Sequence, residues 1–306
     1  MNLLSELMKA FSEQYSGTVY HYTSAEGVAG IISNHEIWMS NTAFMNDTTE
    51  LRTLQDDRSI LKDSDFTNEH VKLAWHNMQH RRSFDTNYYM ASFSRANDLL
   101  EQWRAYGSYC IGFDSKKLRM RKGVSLYRCL YTAKDISKWI LIREGKEGWW
   151  NTLEKNEKEL LAFSLIYIAS MKYKNTHFKN EKEIRLIAIS NHNWVYDNSP
   201  TMYENDLPIH VRRHPVYGFP VPYVKFFIEQ DSTGYVRKVK ENEMEMKARK
   251  LKEEGIEGRK LLPIKEVIVG PVAYQKEAKA ACEILLAEKG YKNVKVSVSS
   301  IPYRGL

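Results

Sequence analysis

Short runs of β-branched and aromatic residues recur along this chain, separated by helical segments of unequal length that follow no fixed order. A doubly wound parallel sheet needs strand and helix in regular alternation, because every parallel crossover spends a helix. The pattern predicts an α+β fold instead. Strands are expected at Val19–Tyr22, Ile37–Ser40, Tyr88–Phe93, Tyr109–Phe113, Val124–Tyr131, Glu183–Ile189, Tyr223–Ile228, Glu266–Gly270 and Val294–Val298. Helices are expected near Leu3–Phe11, at Ala25–Ser33, Leu99–Tyr106 and Tyr274–Lys289, and along the polar stretch from Thr49 to about Arg82. The longest, Trp149–Met171, carries Trp150, Leu153, Leu160, Leu161, Ser164, Ile168 and Met171 as a buried stripe. Asn191 to Pro222 holds five of the eight prolines and reads as loop and edge strand, and Val239–Lys260 reads as a charged helix. No break is sharp enough to divide the chain, so residues 1–306 form one domain, with helical insertions around 49–82 and 149–172 and a loop and charged-helix insertion around 191–260.

Composition narrows the function. The net charge is 45 − 38 = +7, which permits an anionic partner without requiring one. Cys110, Cys129 and Cys282 form no CxxC pair and no disulfide framework, which points to a reducing compartment and away from a thiolate zinc site. The most apolar stretch, Leu160–Met171, is shorter than the ~20 residues a membrane span needs, and Met1–Ser12 lacks a signal-peptide core, so a cytoplasmic protein without a membrane partner is expected. A GxxxxGK[ST] loop, a GxGxxG turn, a GxSxG elbow and an HExxH helix are all missing. His76 and His80 share a helical spacing, but no carboxylate or cysteine signature accompanies them.

Four local groups stand out: Tyr20-His21-Tyr22-Thr23; Phe44-Met45-Asn46-Asp47 with Glu50; Ala91-Ser92-Phe93-Ser94 followed by Gln102 to Gly107; and Phe178 to Arg185. Period-2 geometry places Glu181, Glu183 and Arg185 on one strand face. That face is either a solvated edge or an anionic pair aimed at a cationic transition state, with Arg185 holding one carboxylate. His21 reads as a satisfied core histidine or as a donor and acceptor to a ribose hydroxyl. Ser92 and Ser94 read as polar strand positions, and Asn46 with Asp47 as a turn and helix cap.

These groups, together with Ile268-Val269-Gly270-Pro271 and the closing Ser299-Ser300-Ile301-Pro302-Tyr303-Arg304, resemble the bacterial family catalogued as domain of unknown function 2971 over nearly the whole chain. The resemblance implies a relationship to the ADP-ribosyltransferase fold: split antiparallel sheets around an NAD-binding cleft, with helical insertions. It implies that His21 matches the early-strand position, Ser92-Phe93-Ser94 the middle strand and Glu181-Lys182-Glu183 the later Glu-x-Glu. On that likeness Glu183 accepts from the nicotinamide-ribose hydroxyl, Glu181 positions an acceptor, and His21 completes the catalytic set. His21, Tyr22, Thr23, Ser40, Asn46, Ser92, Ser94, Arg185 and Arg304 would line the NAD site, with Arg95, Arg104 and Arg304 as candidates for the diphosphate.

The function so implied is a mono-ADP-ribosyltransferase or NAD glycohydrolase, with NAD as substrate and a protein or nucleic acid as acceptor, and a toxin or antiviral defence role in a bacterial cell. The alternative is a non-catalytic nucleotide or nucleic-acid sensor, for which the basic 116–122 segment and the abundant aromatics would supply phosphate contacts and stacking. A Mg²⁺ nuclease built on Asp47, Glu50, Glu181 and Glu183 is a third reading, without a recognised metal spacing.

Overall fold

The computed structural model describes residues 15–45, 53–57, 59–80, 87–119, 124–144, 150, 153–190, 208–214, 218–229 and 259–302. The helix expected near Leu3–Phe11, Asn46, Arg304, residues 191–207 of the proline-rich loop and the charged segment to position 258 lie outside them.

Strand β3 (Asn87–Ser94) organises the sheet. Along one edge it pairs over its full length with β6 (Glu183–Ser190), from Asn87↔Ser190 to Ser94↔Glu183, and β6 continues the ladder to β5 (Val124–Arg128). Its other edge is shared. Tyr89 and Met90 pair with Asn41 and Ser40 of β2 (Ile37–Asn41), whereas Ser94 pairs with Tyr20 of β1 (Thr18–Thr23). Ala91, Ser92 and Phe93 fall between the two registers, and the sheet divides there into two wings. One wing runs through β1, β4 (Tyr109–Asp114), β11 (Ile264–Val269) and β12 (Lys295–Val298); the other runs through β2, β8 (Pro220–Phe226) and β7 (Ile209–Arg213). Every ladder of this ten-stranded sheet is antiparallel except β11–β12, which the helix Gln275–Glu288 connects. A separate two-stranded pair joins β9 (Ile228–Glu229) to β10 (Arg259–Lys260). The chain is thus α+β.

Alternation along the strands sends side chains to two cores. Tyr89, Ala91 and Phe93, with Ile184, Leu186, Ile111 and Phe113, turn to one face. There α1 (Ala25–Asn34) contributes Val28, Ile31 and Ile32. Tyr88, Met90, Ile187 and Tyr127 turn to the opposite face. After the short α2 (Thr53–Asp56), that face is covered by α3 (Glu69–His80), with Val71 and Trp75. The small helices α4 (Leu100–Tyr106) and α5 (Ser115–Leu118) follow β3 and β4. Helices α6 (Ala133–Glu144) and α7 (Lys155–Lys172) complete the cover, with Ile140, Leu161, Leu165 and Ile168. The Gln275–Glu288 helix, α8, sets Cys282 and Leu286 into the first core.

Several elements differ from expectation. The polar stretch from Thr49 is broken into α2, a 3-10 turn at Asp63–Asp65 and α3. The breaks carry their own caps: Asp57 accepts from the Ser59 amide, and Asn68 accepts from the amides of His70 and Val71. Leu73 of α3 is exposed. Helix α7 begins at Lys155 rather than at Trp149, because Glu154 is extended and its amide donates to Glu157 in a capping box. Its serines fit a buried helix by donating to carbonyls four residues back, Ser164 to Leu160 and Ser170 to Ile166. Helix α6 was not expected at all. Pro220 and Pro222 lie in β8, an inner strand, but the β2 ladder stops at Tyr223, so both prolines sit where β8 pairs with β7 alone.

Candidate functional site

His21 stands on β1 at the edge of the split. Its Nδ1 lies 2.9 Å from the Ser92 carbonyl oxygen. A carbonyl only accepts, so Nδ1 carries the proton and Nε2 presents the lone pair of a neutral ring. Burial depresses the His21 pKa more than the Ser92 bond raises it, which keeps the ring neutral near pH 7. The ring lies against Phe93 at 5.5 Å.

On the opposite face of the sheet, Ser92 is registered with Arg185 and Ser94 with Glu183. Glu183 is 2% exposed. Its Oε2 meets Lys174 Nζ at 2.9 Å and Arg185 Nε at 3.2 Å, and accepts from the Cys129 thiol at 3.4 Å. Burial acts to raise the Glu183 pKa. The charges of Arg185 and Lys174, with the adjoining Ser92 side chain, outweigh it and hold the carboxyl below its ordinary value. The Glu183 amide donates to the Tyr131 hydroxyl at 2.7 Å, which fixes the start of β6.

Glu181 departs from the expected strand face. It ends a 3-10 turn, Thr176–Glu181, and Lys182 follows in the left-handed region at φ 49°. Strand alternation therefore starts only at Glu183, and the period-2 argument holds for Glu183 and Arg185 alone. Two tertiary bonds set this turn: Ser94 Oγ donates to the Glu181 carbonyl at 2.7 Å, and the Arg95 amide donates to the Lys182 carbonyl at 3.1 Å. The two carboxylates nevertheless converge, because Lys174 Nζ also meets Glu181 Oε2 at 2.7 Å. Glu181 is the more open of the pair, its side chain 18% exposed, and its Oε1 accepts from the Tyr106 hydroxyl at 3.3 Å.

The other expected contacts are distributed differently. Arg185 is fully buried and donates through Nη1 to the Met171 and Tyr173 carbonyls at 2.7 and 3.4 Å, so its guanidinium closes the C-terminus of α7 and is unavailable to a diphosphate. The Tyr22 hydroxyl donates to the Ala96 carbonyl at 2.9 Å and accepts from the Leu99 amide at 3.1 Å, with its ring edge-on to Trp103, so it holds the β3–α4 connection. Ser94 is likewise committed to Glu181 and to the Ala96 amide. Thr23 ends β1 with its carbonyl pressed on Gly107, where φ is 122° and an added Cβ would stand 2.6 Å from that oxygen. Ser40 lies on the β2 wing and accepts from Arg212 Nη2 at 3.0 Å. Asn46 and Arg304 are outside the described residues.

His21 and Glu183 thus occupy opposite faces and meet at one residue, Ser92, whose carbonyl binds the imidazole and whose side chain adjoins the carboxylate. Sequence reasoning missed Lys174, Tyr131 and Cys129. Tyr106 was visible as part of the Gln102–Gly107 group, but not its contact with Glu181. Among the described residues no group of three or more His, Cys, Asp or Glu side chains is placed to hold a metal ion, and no helix is long and apolar enough to cross a membrane. No protein-family model matches the chain, and searches of curated proteins and of solved structures returned no match.

Proposed function

We propose that this chain is an NAD-dependent enzyme of the ADP-ribosyltransferase type, akin to the domain of unknown function 2971 family, that cleaves the nicotinamide–ribose bond at the split in its sheet. The observation that carries the reading is the meeting of His21 and Glu183 on Ser92, where β1 and β2 part from β3. On this reading the neutral imidazole of His21 accepts a ribose hydroxyl proton at Nε2. The ionised Glu183 carboxylate, held by two cations, stands across Ser92 on the other face of the sheet. As the C–N bond breaks, nicotinamide leaves neutral with the bonding pair and the ribose becomes an oxocarbenium ion, which a fixed carboxylate stabilises. Water or an acceptor nucleophile then bonds to the anomeric carbon and loses a proton. Glu181, more open and touched by Tyr106, sits on the acceptor side. A bacterial toxin or antiviral defence effector is the role this chemistry suits.

A second reading rests on a specific observation. Glu183 is nearly inaccessible and neutralised by Lys174 and Arg185, as in a structural ion-pair cluster, and this favours a nucleotide sensor that binds at the split without chemistry. Incubating the pure protein with NAD and following nicotinamide release, with and without cell lysate, separates the two. Release supports the enzyme. Saturable NAD binding without release supports the sensor. A folded protein that shows no binding at millimolar NAD sinks both.

A further inference from the structure

The β2–β8–β7 wing carries a second cluster, outside the split. Registers Trp38↔Lys225, Ser40↔Tyr223, His210↔Tyr223 and Arg212↔Val221 place Trp38, Ser40, Tyr223, His210 and Arg212 on one face. Trp38 is 41% exposed. A lone exposed tryptophan on a surface needs no explanation, but this one is fixed in place and flanked by cations. Its Nε1 donates to Glu36 Oε1 at 2.6 Å, which sets the plane of the indole. Its ring lies 4.5 Å from Tyr223, which in turn lies 5.4 Å from His210. The Arg212 guanidinium stands 5.7 Å from the Trp38 ring centroid, oriented by its bond to Ser40 Oγ. Glu36 itself is outnumbered, meeting Arg259 Nη1 at 2.5 Å and Lys225 Nζ at 3.8 Å.

An oriented, partly exposed indole with a guanidinium over its ring offers two things at once: a stacking surface for a flat ring and a contact for a phosphate. We propose that this face binds a single-stranded polynucleotide, with an unpaired base stacked on Trp38 and the adjoining phosphate at Arg212. Stacking tolerates any base, since every base has a π-face, so the interaction is selective for single strands rather than for sequence. The overall charge of +7 adds the long-range attraction such a partner needs. A duplex hides its base faces, and an acidic peptide would leave the indole plane unused. The proposal is independent of the NAD reaction, because binding to this face is read in the absence of NAD.

The test is fluorescence anisotropy of labelled oligo(dT) and oligo(U) twelve-mers with the full chain at low salt. Binding of either strand, weakening as salt rises, is expected. Trp38→Ala should weaken it by roughly fivefold or more, from the usual magnitude of base–aromatic stacking, with Trp38→Phe recovering much of the loss. Arg212→Gln should weaken it and lower the salt slope by about one. Unchanged melting curves for the variants establish that the wing is intact, and Arg212→Gln serves alone should Trp38→Ala unfold. The proposal is overturned if the folded wild type fails to bind, if a duplex of equal length binds as tightly, or if Trp38→Ala and Arg212→Gln both bind like wild type, which would mark the attraction as diffuse charge.

Discussion

His21 and Glu183 are ionisable groups in poorly solvated positions, and their neighbours push them to different charge states. Burial outweighs the Ser92 carbonyl bond at His21, so the ring stays neutral. Around Glu183 stand Lys174 and Arg185, so the carboxyl stays charged despite its burial. A neutral acceptor at Nε2 makes a ribose hydrogen bond worth ~1 kcal/mol net, so His21→Ala should weaken NAD binding roughly fivefold by calorimetry. Unchanged affinity with a sharply lower melting temperature would instead assign His21 to the core. The glutamates separate by kinetics. If the chain catalyses the proposed reaction, Glu183→Gln, which keeps shape but removes the charge, should lower kcat ~10²-fold or more for both hydrolysis and transfer, with NAD affinity nearly intact. Glu181→Gln should impair transfer much more than hydrolysis. The reverse pattern would make Glu181, the more open carboxylate, the one that faces the ribose.

At the scale of elements, β6 and α7 are joined through one side chain. Arg185 spans the Glu183 carboxylate and the last carbonyls of α7, so it ties the sheet to the helix that covers it. Arg185→Ala leaves Glu183 short of a counter-charge and removes the guanidinium donor of the Met171 and Tyr173 carbonyls, and should cost about 3–5 kcal/mol of stability, read from the denaturant midpoint. Arg185→Lys should recover only part, since an ammonium lacks the planar fork. A change below ~1 kcal/mol would show that the cluster is solvated in solution. The strands themselves were legible, because runs such as Tyr88–Phe93 and Glu183–Ile189 are short and rich in aromatic or β-branched residues, and strand alternation also gave the shared face of Glu183 and Arg185. The Glu181 turn was not legible, because a lysine in the left-handed region at 182 is imposed by partners ninety or so positions earlier in the chain, not by local preference. Lys174 was equally hidden: it reaches the carboxylates only because α7 ends where it does. Nor does any local signal say that β1 and β2 share one edge of β3, and that sharing is what makes the split.

For the whole molecule, the buried ionisable groups bound the pH range of stability, whatever the reaction proves to be. His21 has a folded pKa depressed below its ordinary 6.5, so the unfolded chain takes up its proton first and stability declines as pH falls below that value. Glu183 has a folded pKa depressed below its ordinary 4.5, so its contribution is present above that value and is lost as acid protonates it, which adds a second, steeper decline. Tyr22, Tyr127 and Tyr131 act in the other direction. Burial raises their folded pKa values above the ordinary 10.0, so the folded state holds protons that the unfolded chain releases, and stability falls as pH rises past that point. Melting temperature should therefore be level between about pH 7 and 9.5 and fall on both sides, with two breaks on the acid limb. His21→Gln should make the first break shallower while leaving the second, the remainder belonging to His35, whose pKa burial also depresses; Glu183→Gln should flatten the second while lowering the plateau, because Arg185 and Lys174 both lose the Glu183 carboxylate. A wild-type profile that stays level from pH 7 down to pH 4 would mean that neither His21 nor His35 has its pKa depressed by folding. An acid limb that Glu183→Gln leaves unaltered would mean that the carboxylate is not held between its two cations in solution.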